Sequence, residues 1–194
     1  MPTGVALANA RELLFDAAER VLARGGASAL TSRAVTTEAG VAKGVMHRHF
    51  VDFDTFLAEL VLDRVALLER PMTALRQAAG TGTIAENLVN ALTAVFSPLA
   101  VAVVSLVVTR EGLRARLHEA GAARFPLISE GSVAITAYLS AEQLLGRIAG
   151  TADLATLSHT LIGAGHLLFA DREAGPPDAE ALGKLVVGVM QGAA

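Results

Sequence analysis

The fold is decided by LTSRAVTTEAGVAKGVMHRHF, residues Leu30–Phe50, which predicts two short helices joined by a tight turn. Thr31 and Ser32 supply hydroxyl groups where the first helix would begin. Gly40 would end that helix, because glycine enters the left-handed backbone conformation without a steric penalty. Residues Ala42–His49 then predict a second helix of about two turns.

The second of these helices is rich in positive charge. A short helix that displays cations and small side chains has the shape that the major groove of DNA accepts. Hydroxyl groups and backbone amides at the start of the first helix suit phosphate oxygens. We therefore expect DNA contacts from the polar, cationic and small residues of both helices: Thr31, Ser32, Arg33, Lys43, Gly44, Val45, His47, Arg48 and His49.

These residues resemble the TetR family of bacterial repressors. The resemblance rests on a threonine pair followed by AGV and a small residue, and on the closing x-H-F, and it extends from Arg11 to Leu60. AGVAKG followed by HRHF is its most specific part, whereas the rest of the chain matches only in its helical plan. Arg33 and Lys43 match family positions that often reach base edges, and arginine or lysine to guanine is the commonest specific contact.

Two positions depart from the family pattern. His47 stands where tyrosine is usual, although a histidine can still donate a hydrogen bond to phosphate. Phe53 stands where the following helix usually begins with lysine, and it is flanked by Asp52 and Asp54. The change removes a phosphate contact and places acids near the DNA backbone, which predicts binding that is weaker, less salt-dependent or confined to an unusual operator. A head that no longer binds DNA is the alternative interpretation.

The composition favours an all-α protein with a large apolar interior. Of 194 residues, 53% are hydrophobic and 4% are aromatic, and the apolar mass is mainly alanine, leucine and valine. Alanine and leucine are strong helix formers. The mean hydropathy of +0.49 is high for a monomer. It indicates a buried subunit interface or an internal apolar pocket.

The charge is informative only locally. The net charge is −3, so no global basic field indicates nucleic acid, but residues 1–50 carry six Lys/Arg against four acids. The absence of cysteine excludes disulfides, Cys-ligated zinc and thiol catalysis, and it suits a reducing compartment. No export signal is recognisable at the N-terminus. We therefore expect a cytoplasmic protein.

Apolar periodicity, caps and breakers predict a series of helices along the rest of the chain. Pro71 should kink or split the long helix that follows the motif. Thr83 and Glu86 form a capping box, and Asp153 or Thr151 would cap a later helix. The predicted helices cover residues 6–23, 54–79, 84–96, 98–109, 128–148, 154–171 and 178–191, with a surface helix or turn at 110–123 and a break at 174–177.

One uncharged run, Leu88–Thr109, is long enough to span a bilayer. Asn90, Pro98 and Ser105 interrupt it, and no Lys/Arg cluster precedes it. Two buried helices are therefore the favoured interpretation, and no membrane partner is expected. A membrane-associated or helical ligand-binding protein with a degenerate head is the alternative.

The sequence offers little for catalysis or metal binding. His159 and His166 share a helix face but lack a third ligand, and the serines lack the glycine-flanked turn of a nucleophile. We expect no enzyme activity, no metal and no cofactor. Scattered residues are better interpreted as lining a cavity for a small ligand, or equally as satisfied core residues: Asn90, Phe96, Ser105, Arg110, Tyr138 and His166.

These observations predict a helix-turn-helix domain over residues 1–52 and a helical ligand-binding and dimerisation domain over 53–194. The last two helices carry apolar stripes and small residues, which favours a homodimeric bundle over packing within one chain. The resemblance implies a repressor that binds a palindromic operator on double-stranded DNA and is released by a small hydrophobic or amphipathic effector.

Overall fold

The computed structural model describes residues 4–96, 98–170 and 177–191, which form helices, turns and bends without a strand. The predicted all-α class is confirmed. The helices are α1 Gly4–Ala29, α2 Ser32–Glu38, α3 Gly44–His49, α4 Phe53–Gln77, α5 Ile84–Val95, α6 Pro98–Thr109, α7 Glu111–Glu119, α8 Pro126–Leu144, α9 Leu154–Ala170 and α10 Ala179–Met190.

Side chains that the sequence singled out as caps begin several helices. Thr83 and Glu86 form the predicted capping box at the start of α5. Asp153 accepts a hydrogen bond from the Thr156 amide at 3.1 Å before α9. Asp178 accepts one from the Ala181 amide at 2.7 Å before α10. Because these bonds satisfy amides that the helix leaves unpaired, they fix where each helix begins.

Some helix boundaries differ from the prediction. Gly26 breaks the helical conformation with a φ of 68°, but helical structure resumes as far as Ala29. Pro71 does not split α4, which runs through it while Leu68 and Met72 stay buried on its apolar side. A proline removes only one backbone donor, and packing on both sides can hold the helix together. The predicted break at 174–177 lies almost wholly outside the described residues.

The chain forms two compact units that are not contiguous in sequence. The first comprises residues up to Asp63 together with Ala102–Arg124, and the second comprises Arg64–Val101 together with the chain from Phe125 onward. The division into domains at residues 52 and 53 remains a prediction. It falls at the first residue of α4, whereas the compact units divide within α4 and α6.

The first unit is centred on three phenylalanines. Phe50 and Phe56 meet edge to face with ring centroids 4.9 Å apart, and Phe15 of α1 lies 6.0 Å and 5.6 Å from them. Offset and edge-on rings of this kind add attraction beyond the area they bury. The cluster joins α1, the end of α3 and the first turns of α4.

The second unit is a bundle in which α8 packs on α5 and α9, and α10 packs on α5 and α9. Glycines allow its helices to approach closely. A Cβ added at Gly131 would lie 3.1 Å from Val95 and 3.2 Å from Ile162. A Cβ at Gly165 would lie 2.9 Å from the ring of Phe96. At these two glycines the helices are packed so closely that an added methyl group would collide with neighbouring side chains.

In the described part of the chain, no single helix is both long enough and apolar enough to cross a membrane, although α5 and α6 meet that test as a bent pair.

Candidate nucleic-acid interface

The start of α2 is built by the two hydroxyl residues that the sequence singled out. Thr31 is the N-cap, and its Oγ1 accepts a hydrogen bond from the Ala34 amide at 3.1 Å. The Ser32 hydroxyl donates to the sulfur of Met46 at 3.1 Å, which ties α2 to α3. Thr31 is exposed, and its hydroxyl hydrogen remains able to donate to an anion.

The turn between α2 and α3 has the predicted glycine conformation. Gly40 has a φ of 66°, in the left-handed region that favours glycine. Its amide donates to the carbonyl of Thr37 at 3.1 Å, and the amide of Val41 donates to that of Thr36 at 3.0 Å. These two bonds close α2 and set the direction in which the chain enters α3.

Helix α3 begins at Gly44, two residues later than predicted, and buries one side. Met46 is 1% exposed, and Phe50, which closes the helix, is 3% exposed. The opposite side carries Lys43, His47 and Arg48, all exposed. Since residues four apart share a helix face, Lys43 and His47 lie together on the outer surface.

Six of the nine predicted DNA-contact residues are therefore on the surface and three are half-buried. His49 is half-buried because its ring lies 6.3 Å from that of Phe50. The exposed residues are Thr31, Arg33, Lys43, Gly44, His47 and Arg48, and the half-buried residues are Ser32, Val45 and His49.

Glu38 at the end of α2 is a structural residue of this surface that the sequence analysis did not identify. Arg20 donates to its Oε1 at 2.7 Å, and Arg24 contacts its Oε2. The hydrogen bonds from Arg24 and then Arg20 lower the pKa of Glu38 from 4.5 to about 2. In the sequence, Arg20 and Arg24 are four residues apart and so share a face of α1. That spacing indicates a cationic face but does not identify Glu38 of α2 as its partner.

An open groove of about 520 Å³ runs beside this ion pair, between α1 and α2. Thr31, Arg33 and Glu38 line it together with Arg24. The groove therefore combines the exposed start of α2 with the charged residues that hold its end.

The two acids that were expected to lie near DNA are at the start of α4: Asp52 directly precedes the helix, and Asp54 is in its first turn. Asp52 accepts from the Thr55 amide at 2.7 Å and from Arg116 of α7 at 2.7 Å. The bonds from Thr55, and then that from Arg116, lower the pKa of Asp52 to about 2. Asp54 accepts from Arg110, whose Nη2 and Nε lie at 3.0 Å and 3.2 Å. Each acid is thus paired with an arginine from a distant part of the sequence.

Phe53, which lies between these acids, packs on both sides. Its ring stacks on Phe56 with centroids 5.6 Å apart, and the guanidinium of Arg110 lies 5.2 Å from its centre. A cation over an aromatic face is attracted by the ring's electron density. Phe53 stands where the family usually has lysine. Its ring therefore packs against the side chain of Arg110.

Of the six predicted ligand-binding residues, four belong to the second compact unit and two to the first. Phe96 and His166 are together, with ring centroids 5.9 Å apart. Asn90 and Ser105 are exposed, and Arg110 lies in the first unit on Asp54. Across the described residues, no three His, Asp or Glu side chains are grouped so that they could hold a metal ion.

Tyr138, the sixth of these residues, belongs to a buried polar network that also contains Asn87, which the sequence analysis missed. Asn87 Nδ2 donates to the Tyr138 hydroxyl at 3.0 Å. Burial raises the pKa of Tyr138 to about 12, so its hydroxyl is neutral at ordinary pH. The neighbouring Glu142 is fully buried and accepts from the Gly80 amide at 3.2 Å and from Arg147 at 3.3 Å.

Comparison with solved structures defines the class of the fold. A transcriptional regulator from Rhodococcus sp. RHA1 is 23% identical with a TM-score of 0.72, and the match covers 94% of this chain and 97% of that one. FadR of Bacillus subtilis, solved with stearoyl-CoA, is 18% identical with a TM-score of 0.71 and coverages of 94% and 99%. A regulator from Saccharomonospora viridis, solved with choline, is 16% identical with a TM-score of 0.71 and coverages of 95% and 96%. The fold is that of helical transcriptional regulators.

The sequence match identifies the family of the N-terminal domain. Residues 14–60 match the family described as bacterial regulatory proteins, tetR family. No curated protein sequence matches the chain. The resemblance found in the sequence is confirmed: residues 14–60 match the tetR family model, and the fold over nearly the whole chain is the one that these solved regulators have.

Proposed function

We propose that this protein is a transcriptional repressor that binds a palindromic operator as a homodimer and releases it when a small hydrophobic or amphipathic molecule binds. In this proposal it acts in the cytoplasm, as a regulator and not as an enzyme. The two recognition helices of the dimer would enter successive major grooves, so their separation must match the helical repeat of DNA.

The observation that carries this proposal is the two-sided character of α3. Met46 and Phe50 anchor one side in the core, while Lys43, His47 and Arg48 are exposed on the other. A helix fixed from behind presents its outer side chains in a defined direction, which is what reading base edges requires. The six exposed residues of the two short helices are the expected contacts.

The test begins with selection of bound duplexes from a random DNA pool by the full-length protein. Fluorescence anisotropy then measures affinity for the selected duplex and for a scrambled duplex at several salt concentrations. We expect selective, salt-dependent binding. Lys43→Ala should reduce the selectivity by about 1–3 kcal/mol, the usual value of one specific side-chain-to-base contact.

Arg76→Ala is the matched control, because Arg76 of α4 is also exposed, lies outside α9 and α10, and donates a hydrogen bond to Thr73 on its own helix. Circular dichroism should show the same helicity for both variants. Failure of the wild-type protein to enrich any sequence would refute the proposal. Equal loss of selectivity in both variants would refute the assignment of Lys43.

The proposed dimer uses the C-terminal helices, α9 with α10. Within one chain α10 packs on α5 and α9, yet Leu167 of α9 remains 74% exposed and Val187 of α10 remains 46% exposed. Large apolar side chains exposed on neighbouring helices are typical of a surface that another subunit covers. Val133 of α8 is exposed as well and would extend that surface.

Sedimentation velocity can test the dimer directly. Leu167→Asp should shift the protein toward a monomer, because a carboxylate would have to be buried in the interface. Leu67→Asp is the control, since Leu67 of α4 is also largely exposed but lies on a different helix. A dimer that persists in Leu167→Asp would exclude this surface.

The proposed effector class follows from the apolar interior of the second unit. Phe96 is buried against Phe169 and His166, with ring centroids 5.8 Å and 5.9 Å away. Such a cluster suits an apolar ligand with one polar group. FadR and the S. viridis regulator were solved with stearoyl-CoA and choline, which supports a small-molecule effector of unspecified chemistry.

A panel of fatty acyl compounds, quaternary amines and aromatic acids can be tested for release of the selected duplex. A true effector should weaken DNA binding and raise the thermal midpoint of the free protein, because it binds one state preferentially. A compound that stabilises the protein without releasing DNA would contradict the coupling.

A further inference from the structure

We propose that Arg110 and Arg116 are positioning residues of the DNA-binding surface. They act by fixing the first turn of α4 and, through the aromatic cluster, the end of α3. This inference rests on the proposed DNA-binding function. It concerns two residues far from the helix-turn-helix in sequence, one of which the sequence analysis assigned to ligand binding.

The first observation is a double ion pair between α4 and the segment that carries α7. Arg116 Nη2 lies 2.7 Å from Asp52 Oδ2, and Arg110 Nη2 lies 3.0 Å from Asp54 Oδ1. The four side chains are between about one third and two fifths exposed. Arg116 also pairs with Glu119 of its own helix at 3.0 Å. Two arginines from one short segment therefore hold both acids of the same helical turn.

The second observation is independent of charge. A Cβ added at Gly112, in α7, would lie 2.2 Å from Asp54 Oδ2 and 2.9 Å from Asp54 Cγ. Real Cβ atoms do not approach this closely, so a side chain at residue 112 would push the Asp54 carboxylate out of its position beside Arg110. The close approach and the ion pairs involve the same carboxylate.

A continuous set of contacts leads from these pairs to the recognition helix. Arg110 lies over Phe53, Phe53 stacks on Phe56, and Phe56 meets Phe50 edge to face. The amide of Phe50 donates to the carbonyl of Met46 at 2.9 Å and closes α3. A displacement of the first turn of α4 would therefore displace the end of α3. Packed side chains transmit such displacements because interiors are dense.

The strength expected of these ion pairs indicates that they orient α3 more than they stabilise the fold. Partly exposed ion pairs contribute little to folding free energy, because solvent screens them. A small rotation of α3 would nevertheless misplace several DNA contacts at once, since positioned groups lose their effect with shifts of about 1 Å. We therefore expect a larger effect on DNA binding than on unfolding.

A charge exchange tests the proposal. The variants are Arg110→Glu, Asp54→Arg and the double variant, each measured as full-length protein against the duplex selected by the wild type. Each single variant should bind about 5- to 10-fold more weakly, because an attraction becomes a repulsion between like charges. The double variant, which has the net charge of the wild type, should recover most of that loss.

Amide hydrogen exchange of the free protein gives a readout that does not depend on DNA. Residues 46–56 should exchange faster in both single variants and return toward wild-type protection in the double variant, while α8–α10 remain unchanged. Unchanged protection at 46–56 in the single variants would overturn the proposal, even if the wild type bound no DNA. Absence of wild-type DNA binding would instead refute the proposed function alone.

Direct contact of Arg110 with phosphate is the competing explanation for weaker binding. It predicts a decrease in the slope of log affinity against log salt by about one for each lost contact, and no recovery in the double variant. A positioning role predicts the recovery. Arg76→Glu is the control for the change in charge, because Arg76 donates a hydrogen bond to Thr73 on its own helix.

Gly112→Ala tests the close approach without changing any charge. It should weaken DNA binding and raise exchange at residues 46–56 in the same way as Arg110→Glu. Gly150→Ala is the control, since Gly150 lies outside the proposed dimer helices and its added Cβ would also meet no atom within 4 Å. Equal behaviour of the two glycine variants would overturn the inference.

Discussion

The two compact units of this chain differ in the ion pairs that join their elements. In the first, the pairs between different elements are partly exposed, as Asp54 with Arg110 and Glu38 with Arg20. In the second, the carboxylate of Glu142 is fully buried beside Arg147. Exposed pairs orient surfaces at little gain in stability, whereas a buried charge is costly to leave unpaired. Under the proposed function, the exposed pairs would orient the recognition surface, whereas the buried pair stabilises the fold.

The largest effect should follow from removing the buried charge partner in the second unit. Glu142→Ala should lower the free energy of unfolding by about 2–3 kcal/mol, at the low end for a buried pair because Arg147 is partly exposed. Urea unfolding followed by circular dichroism measures it. Glu180→Ala, which removes an exposed carboxylate paired with Lys184, should have no measurable effect. Comparable losses in both variants would remove the distinction between buried and exposed pairs.

Overpacking of the second unit should come next in magnitude. Gly165→Ala would place a Cβ 2.9 Å from the ring of Phe96 and should cost about 1–3 kcal/mol. Gly150→Ala, before the start of α9, meets no atom within 4 Å and should be neutral. Thermal unfolding of both variants measures the difference. Equal stability of Gly165→Ala and Gly150→Ala would contradict close packing at Gly165.

The smallest effect should be a pH-dependent one in the first unit. The pKa of Glu38 is lowered from 4.5 to about 2, so the folded state favours the ionised form. Its contribution to stability is present above about pH 4.5 and is lost as the pH falls toward 2. Glu38→Gln should therefore melt below the wild type at pH 6, and the two should converge near pH 2.

Asp52 has a similarly lowered pKa, so Glu38→Gln should keep part of the acid sensitivity. Thermal midpoints at pH 6, 4 and 2.5 give the measurement. A difference between the variant and the wild type that stays constant over this range would show that the ion pair with Arg20 and Arg24 contributes nothing through charge.

The helix-turn-helix could be predicted from sequence because its signals are local. The cap at Thr31 and the left-handed turn at Gly40 lie within a few residues of the helix ends they fix. The alternation of buried Met46 with exposed Lys43 and His47 follows from helical period alone. Such features require no knowledge of the rest of the chain.

The ion pairs that join different elements of the first unit could not be predicted, because the two partners of each pair are far apart in sequence. Asp52 and Asp54 were expected to lie near the DNA backbone, and nothing near them in sequence indicates their arginine partners 64 and 56 residues later. The assignment of the six ligand-binding residues stays a prediction. Polar residues in apolar runs were selected by composition, and composition does not determine which of them converge.

The discontinuity of the first unit has a consequence for recombination between relatives. A chimaera joined at residue 52 or 53 would take the helix-turn-helix from one protein without the segment Ala102–Arg124, which belongs to the same compact unit. Asp54 would then face whatever residues the recipient carries in place of Arg110 and Gly112. We therefore expect that a functional chimaera needs both segments of the first unit from the same parent protein, and not the helix-turn-helix alone.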